Sequence, residues 1–146
     1  MIEVTPGIYQ LQLPLPKISL GHINTYLVQG DNEYLLIDTG WNMEDSFDSL
    51  KKQADQIGAD LKDISQIVIT HVHADHYGLA GRLKQLSQAK LAMHLIERDF
   101  IESRYVDMDN LLQQMEYWFH INGVPTDERP QLQTASLEMR EFVATA

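Results

Sequence analysis

Thr70-His71-Val72-His73-Ala74-Asp75-His76-Tyr77-Gly78 holds three histidines and one aspartate within six positions. The stretch follows the apolar run 64–69 and precedes a helical pattern, so the cluster falls on a strand-to-helix turn. Histidine and carboxylate at this spacing are what a borderline divalent metal needs. His71 and His73, two apart in an extended segment, point the same way and can reach one metal as neutral imidazoles. Asp75 and His76, beyond a turn residue, can face an adjacent position. As a plain surface loop, the stretch would crowd three imidazoles and a carboxylate for no gain.

Outward from this loop the pattern alternates strands and helices. Ile8-Tyr9-Gln10-Leu11-Gln12-Leu13 has period two and predicts a half-buried strand, ended by Pro14 and Pro16. Strands follow over 23–28 and 33–38, joined by the turn Gln29-Gly30-Asp31-Asn32. Asn42 reads as a helix N-cap, with Glu44 and Asp45 in the first turn. Phe47, Leu50, Ala54 and Ile57 form one apolar stripe, and Gly58 closes the helix. A strand over 66–70 delivers the histidine loop. Leu79, Leu83 and Leu86 mark the next helix, and 90–93 a last strand. This order predicts an α/β fold with helices on the outer face of a sheet. From 95 to 120 the pattern is helical, with Leu111, Leu112, Met115, Trp118 and Phe119 apolar. Asn122-Gly123-Val124-Pro125 breaks it, and another helix is expected over 132–142. No repeat, low-complexity segment or linker is visible. One domain is expected over 1–146, with 95–146 as a helical segment within it.

The H-x-H-x-D-H run of His71, His73, Asp75 and His76 resembles the hallmark of the metallo-β-lactamase-fold hydrolase superfamily. Two further stretches add to the likeness. Leu35-Leu36-Ile37-Asp38-Thr39-Gly40 is a strand ending in Asp-Thr-Gly, and Ile23-Asn24-Thr25-Tyr26-Leu27-Val28 looks like the first hairpin strand of these enzymes. The resemblance runs from about Val4 to His94. It implies an αββα four-layer sandwich, to which this chain supplies the N-terminal sheet, its outer helices and a helical insertion. By the same resemblance, His71 and His73 would be two ligands of a first metal site, and Asp75 and His76 would contribute to a second. One or two zinc ions, or iron or manganese, would hold a hydroxide that attacks an ester, thioester, lactone, amide or phosphoester. Asp75 would also orient that water. Asp38 would orient the metal loop, although Asp-Thr-Gly after a strand also reads as an ordinary turn.

The likeness has a limit. Family members take further ligands from a later histidine, aspartate and histidine, and those patterns are missing here. The chain stops at Ala146, near where a second half is expected to begin. The expectation is therefore the N-terminal half of such an enzyme. The alternative is a catalytically incompetent half-domain that acts through a homodimer or a partner chain, either of which would cover the inner sheet face. A di-iron redox relative would carry carboxylate in place of one histidine, and His76 argues against it.

Bulk properties narrow the function. The formal net charge is −10, and the 11 basic residues are scattered, which disfavours nucleic-acid binding. Zero Cys excludes disulfides, thiolate ligands and a cysteine nucleophile, and fits a reducing, cytoplasmic setting. No apolar stretch approaches the ~20 residues of a membrane span, and the first residues lack a signal-peptide pattern. A small-molecule substrate is expected. Thioesterase or lactonase-like chemistry is favoured over β-lactam hydrolysis, which would suit a secreted protein. No G-x-S-x-G, P-loop or G-x-G-x-x-G is present.

Other residues carry plainer expectations. Gly78 and Gly81 let a helix approach the sheet closely. Tyr77 lies near the site or in the core. His22 reads as a polar edge residue or substrate contact, His94 as structural, and His120 as closing a helix C-terminus. Met108, Met115 and Trp118 read as core.

Overall fold

The computed structural model describes residues 1–15 and 19–143. Six strands form one sheet in the order β1-β2-β3-β4-β5-β6: Ile2–Thr5, Ile8–Leu15, Gly21–Gln29, Tyr34–Ile37, Ile64–Val68 and Lys90–Ala92. The first four run antiparallel, whereas β4–β5 and β5–β6 are parallel. Parallel neighbours need crossovers, and helices supply them. α1 (Glu44–Asp55) links β4 to β5, while α2 (Ala74–Tyr77) and α3 (Ala80–Ser87) link β5 to β6. α4 (Leu95–Ile101), a π-helical turn Glu102–Val106, α5 (Met108–Ile121), α6 (Arg129–Glu138) and a 3₁₀ turn Met139–Phe142 follow. The expected α/β sheet with alternating helices is present.

The register shows how the sheet divides its two faces. Tyr9, Leu27, Leu36, Ile67 and Leu91 sit opposite one another across five strands. Leu27, Leu36 and Ile67 in that row are fully buried, in one cluster with Leu50 and Ala54 of α1 and Leu83 of α3. The adjacent row of Gln10, Tyr26, Ile37, Val68 and Ala92 points the other way and is only half-buried.

Several local expectations shift. Pro14 lies inside β2, opposite His22, rather than ending it. β1 no longer runs beside β2 there, so an edge position accommodates the missing N–H. Pro16 lies outside the described residues, as do 144–146 of the helical segment. α1 packs along this stretch of β2: Gln53 accepts from the Gln12 N–H at 3.1 Å and donates to its carbonyl at 2.9 Å. Ser46 donates to the Pro14 carbonyl at 3.2 Å.

The N-cap of α1 is Met43 instead of Asn42, and no side chain caps it. The Asn42 N–H is held by the Phe142 carbonyl at 2.9 Å. Gly58 does close the turn after α1, at φ 75°. Leu79 and Leu83 are buried, but Leu86 is 38% exposed. Tyr77 is fully buried, which resolves its reading towards the core. Trp118 is 58% exposed, against the core expectation.

Candidate metal centre

β4, β5 and β6 all end at the same edge of the sheet, because their parallel register sets Ile37 beside Val68 and Val68 beside Ala92. In open α/β sheets this carboxyl edge is where ligands bind. The three strands continue into Asp38, the histidine loop and the start of α4 respectively. The Asp38 N–H donates to the Val68 carbonyl, and the Ile69 N–H to that of Ala92, both at 2.9 Å. Asp38 is thereby placed against Thr70, and the histidine loop runs between Asp38 and α4.

Asp38 is the hub of the loop. Its Oδ1 accepts the Thr70 N–H at 2.8 Å, and its Oδ2 accepts the Thr70 hydroxyl at 2.7 Å. The same Oδ2 lies 2.8 Å from His76 Nδ1. A carboxylate only accepts, so Nδ1 carries the proton and Nε2 of a neutral ring keeps its lone pair. Asp38 does this from φ 60°, a left-handed conformation uncommon outside glycine. Outside glycine, Asp and Asn are the residues that reach this region most readily. Thr39 donates to the His76 carbonyl through both its N–H, at 2.8 Å, and its hydroxyl, at 2.9 Å. Gly40, at φ 84°, accepts the Leu79 N–H at 3.0 Å. Asp-Thr-Gly is thus a turn and also a set of contacts to the histidine loop.

The structure sets the four predicted residues pairwise near one another. The His71 ring lies 4.0 Å from that of His76 and 4.7 Å from that of His73, centre to centre. His76 Nε2 is 3.5 Å from Asp75 Oδ2. Two tetrahedral ligands each ~2.0–2.1 Å from one zinc would stand roughly 3.3 Å apart. That pair is therefore close to a ligand spacing. The described residues contain no group of three or more His, Cys, Asp or Glu side chains already arranged around one metal position. The donor set nonetheless fits a borderline divalent ion: three imidazoles, one carboxylate, and one ring already fixed by Asp38.

Electrostatics separate the rings. Burial lowers the pKa of His71, and the neighbouring His76 and His73 lower it further, which favours the neutral, metal-ready form. Burial alone would lower His76 too. The hydrogen bond and charge of Asp38, with Asp75 behind it, outweigh burial and raise it.

The remaining histidines stay outside the cluster's contacts. His94 is the N-cap of α4, its Nδ1 accepting the Ile96 N–H at 3.2 Å. His120 lies in the last turn of α5, and His22 is exposed on β3. Gly78 is enclosed: a Cβ there would overlap the carbonyl oxygens of Ala74, Phe142 and Gly40. Sequence reading missed Thr70, Glu97 and Tyr105. Thr70 could have been noticed as a hydroxyl adjoining the motif. Glu97 and Tyr105 carry no local signal, because both sit in an ordinary helical pattern.

Comparison with known proteins agrees with this build. The family model described as metallo-beta-lactamase superfamily matches residues 18–144. A probable metallo-hydrolase of Bacillus subtilis (strain 168), YqjP, is 30% identical over 123 residues, covering 84% of this chain and 37% of that protein. The UPF0173 metal-dependent hydrolase PH1671 of Pyrococcus horikoshii is 30% identical over 63% of this chain, and 37% of its own length is matched. The crystal structure of the metallo-beta-lactamase family protein TTHA1429 from Thermus thermophilus superposes with a TM-score of 0.78 at 29% identity. The match covers 97% of this chain and 44% of that one. The chain thus spans well under half the length of these relatives. By its fold, its histidine loop and the match over 18–144, the chain belongs to the metallo-beta-lactamase superfamily.

Proposed function

We propose that this chain carries the metal-binding edge of a metal-dependent hydrolase acting on a small-molecule ester, thioester, lactone, amide or phosphoester. The observation that carries the reading is the convergence of His71, His73, Asp75 and His76, with Asp38 holding the His76 ring by Nδ1. The names of the relatives, metallo-hydrolase and metal-dependent hydrolase, support it. His71, His73, Asp75 and His76 would hold one or two ions, zinc first, with iron or manganese as alternatives. A bound metal would supply Lewis acidity and draw the pKa of water towards neutrality. The chain's own residues have narrower tasks. Asp75, with 26% of its side chain exposed, can accept a hydrogen bond from water beside His76 and orient it. Asp38 fixes the tautomer of His76, and Thr39 holds the His76 carbonyl of α2 against the turn after β4. Zero Cys is in keeping with a cytoplasmic setting.

Zinc binding followed by a competing chromogenic chelator tests the reading. Replacing His71 and His73 together by Ala should abolish uptake, and Asp75→Ala should weaken it at least tenfold. Uptake unchanged by the double substitution would refute the assignment. A panel of thioesters, lactones and phosphodiesters then addresses substrate.

A second reading has an observation of its own. The row of Tyr26, Ile37, Val68 and Ala92, on the sheet face opposite Leu27, Leu36 and Ile67, is only half-buried and lies outside the core cluster. A half-domain completed by a second copy would use this face. Light scattering that shows a monomer across the micromolar range argues against it.

A further inference from the structure

Val72 stands between two of the histidines, and both of its backbone polar groups are held by the helical segment. Its N–H donates to Glu97 Oε2 of α4 at 2.8 Å. Its carbonyl accepts from the Tyr105 hydroxyl of the π-helical turn at 2.6 Å. The Val72 side chain is itself 1% exposed and packed in the core. The residue is therefore pinned at side chain, donor and acceptor. In an extended segment the flanking side chains are set by the plane of that pinned residue.

The holding groups are not local. They lie 25 and 33 residues further along the chain. α4 starts where β6 ends, beside β5, so its first turn reaches the loop that β5 delivers. The turn carrying Tyr105 is π-helical, a rare form that often marks functional positions. Tyr105 is the buried residue of that turn. Burial raises the Tyr105 pKa, with Arg104 pulling partly back, so its hydroxyl remains a neutral donor. The Glu97 carboxylate makes a charge-assisted bond to an N–H, among the stronger types.

We infer that Glu97 and Tyr105 are positioning residues which set the His71 and His73 rings by clamping the Val72 backbone. This rests on the metal reading above. In this arrangement each acts through the Val72 backbone rather than as a ligand.

The test uses the whole chain with Co²⁺ as probe, read by its visible absorption, alongside amide hydrogen exchange of the metal-free protein. Tyr105→Phe and Glu97→Ala should each speed exchange at Val72 and His73 while leaving α1 unchanged. Each should weaken Co²⁺ binding about tenfold, the lower end of what outer partners of metal ligands contribute, and alter the cobalt spectrum. Glu97→Gln keeps an acceptor for the Val72 N–H and should restore both readouts to near the parent values. Arg82→Ala, which breaks the exposed Arg82–Glu44 pair between α3 and the first residue of α1, serves as control and should leave cobalt binding unchanged. A parent chain that takes up cobalt while both variants match it in affinity and spectrum overturns the inference alone. A parent chain that takes up no cobalt overturns the metal reading and the clamp's role together.

Discussion

The stretch from Leu11 to Ala89 and the stretch after β6 are built on opposite principles. Among the described residues, every buried apolar side chain lies in the first stretch except Tyr105. α4 and α5 bury no residue at all. Leu95, Ile96, Phe100, Val106, Tyr117, Trp118 and Ile121 of the second stretch are exposed instead. The first stretch is held by its own core. The second is attached at a few points, chiefly Glu97 and Tyr105 on Val72, and Phe142 stacked on Trp41 at 4.4 Å. Its attachments fall at the histidine loop and at the turn after Asp38. The helical stretch thus meets the core through Tyr105, Ile101, Phe142 and Val143 and meets the histidine loop through Glu97 and Tyr105.

Substitutions can sharpen or break this contrast. Leu36→Ala, in the fully buried row, should cost about 2–5 kcal/mol in urea unfolding. Gly78→Ala should cost roughly 3 kcal/mol, because the added methyl meets backbone on three sides. One of those sides is Phe142, so the same change should loosen the 3₁₀ turn, visible as faster exchange at Val143. Thr70→Val should cost about 1 kcal/mol by removing one hydrogen bond to Asp38. Trp118→Ala should fall within about 0.5 kcal/mol of the parent. A loss at Trp118 as large as that of a core truncation would mean that α5 is packed in solution and would erase the contrast.

The same divide governs what could be read in the sequence. The site loop was legible because its chemistry is local: four donors within six positions need no tertiary knowledge. The β3–β4 hairpin was legible for a similar reason, its turn being closed by the Gly30 N–H on the Glu33 carbonyl. Asn42 misled because capping propensity is local, whereas its N–H is taken by Phe142, 100 residues later. Pro14 misled because the pattern does not say where β1 stops alongside β2. Trp118 and Tyr105 look alike in a helical stripe. Which of them is buried depends on where the sheet edge lies, and periodicity carries no such information. Glu97 and Tyr105 escaped for that reason.

Asp38 shows how narrow one position can be. Its backbone at φ 60° is comfortable for Gly, Asn and Asp, and costly for nearly every other side chain. Its carboxylate receives three donors, two from Thr70 and one from His76. Gly satisfies the backbone and leaves all three donors empty. Asn satisfies the backbone but turns an amide N–H₂ towards groups that themselves donate. Glu matches the charge and fails the backbone. Two unrelated constraints intersect at a single amino acid, so in a library of all substitutions at 38 the parent residue should be the lone survivor.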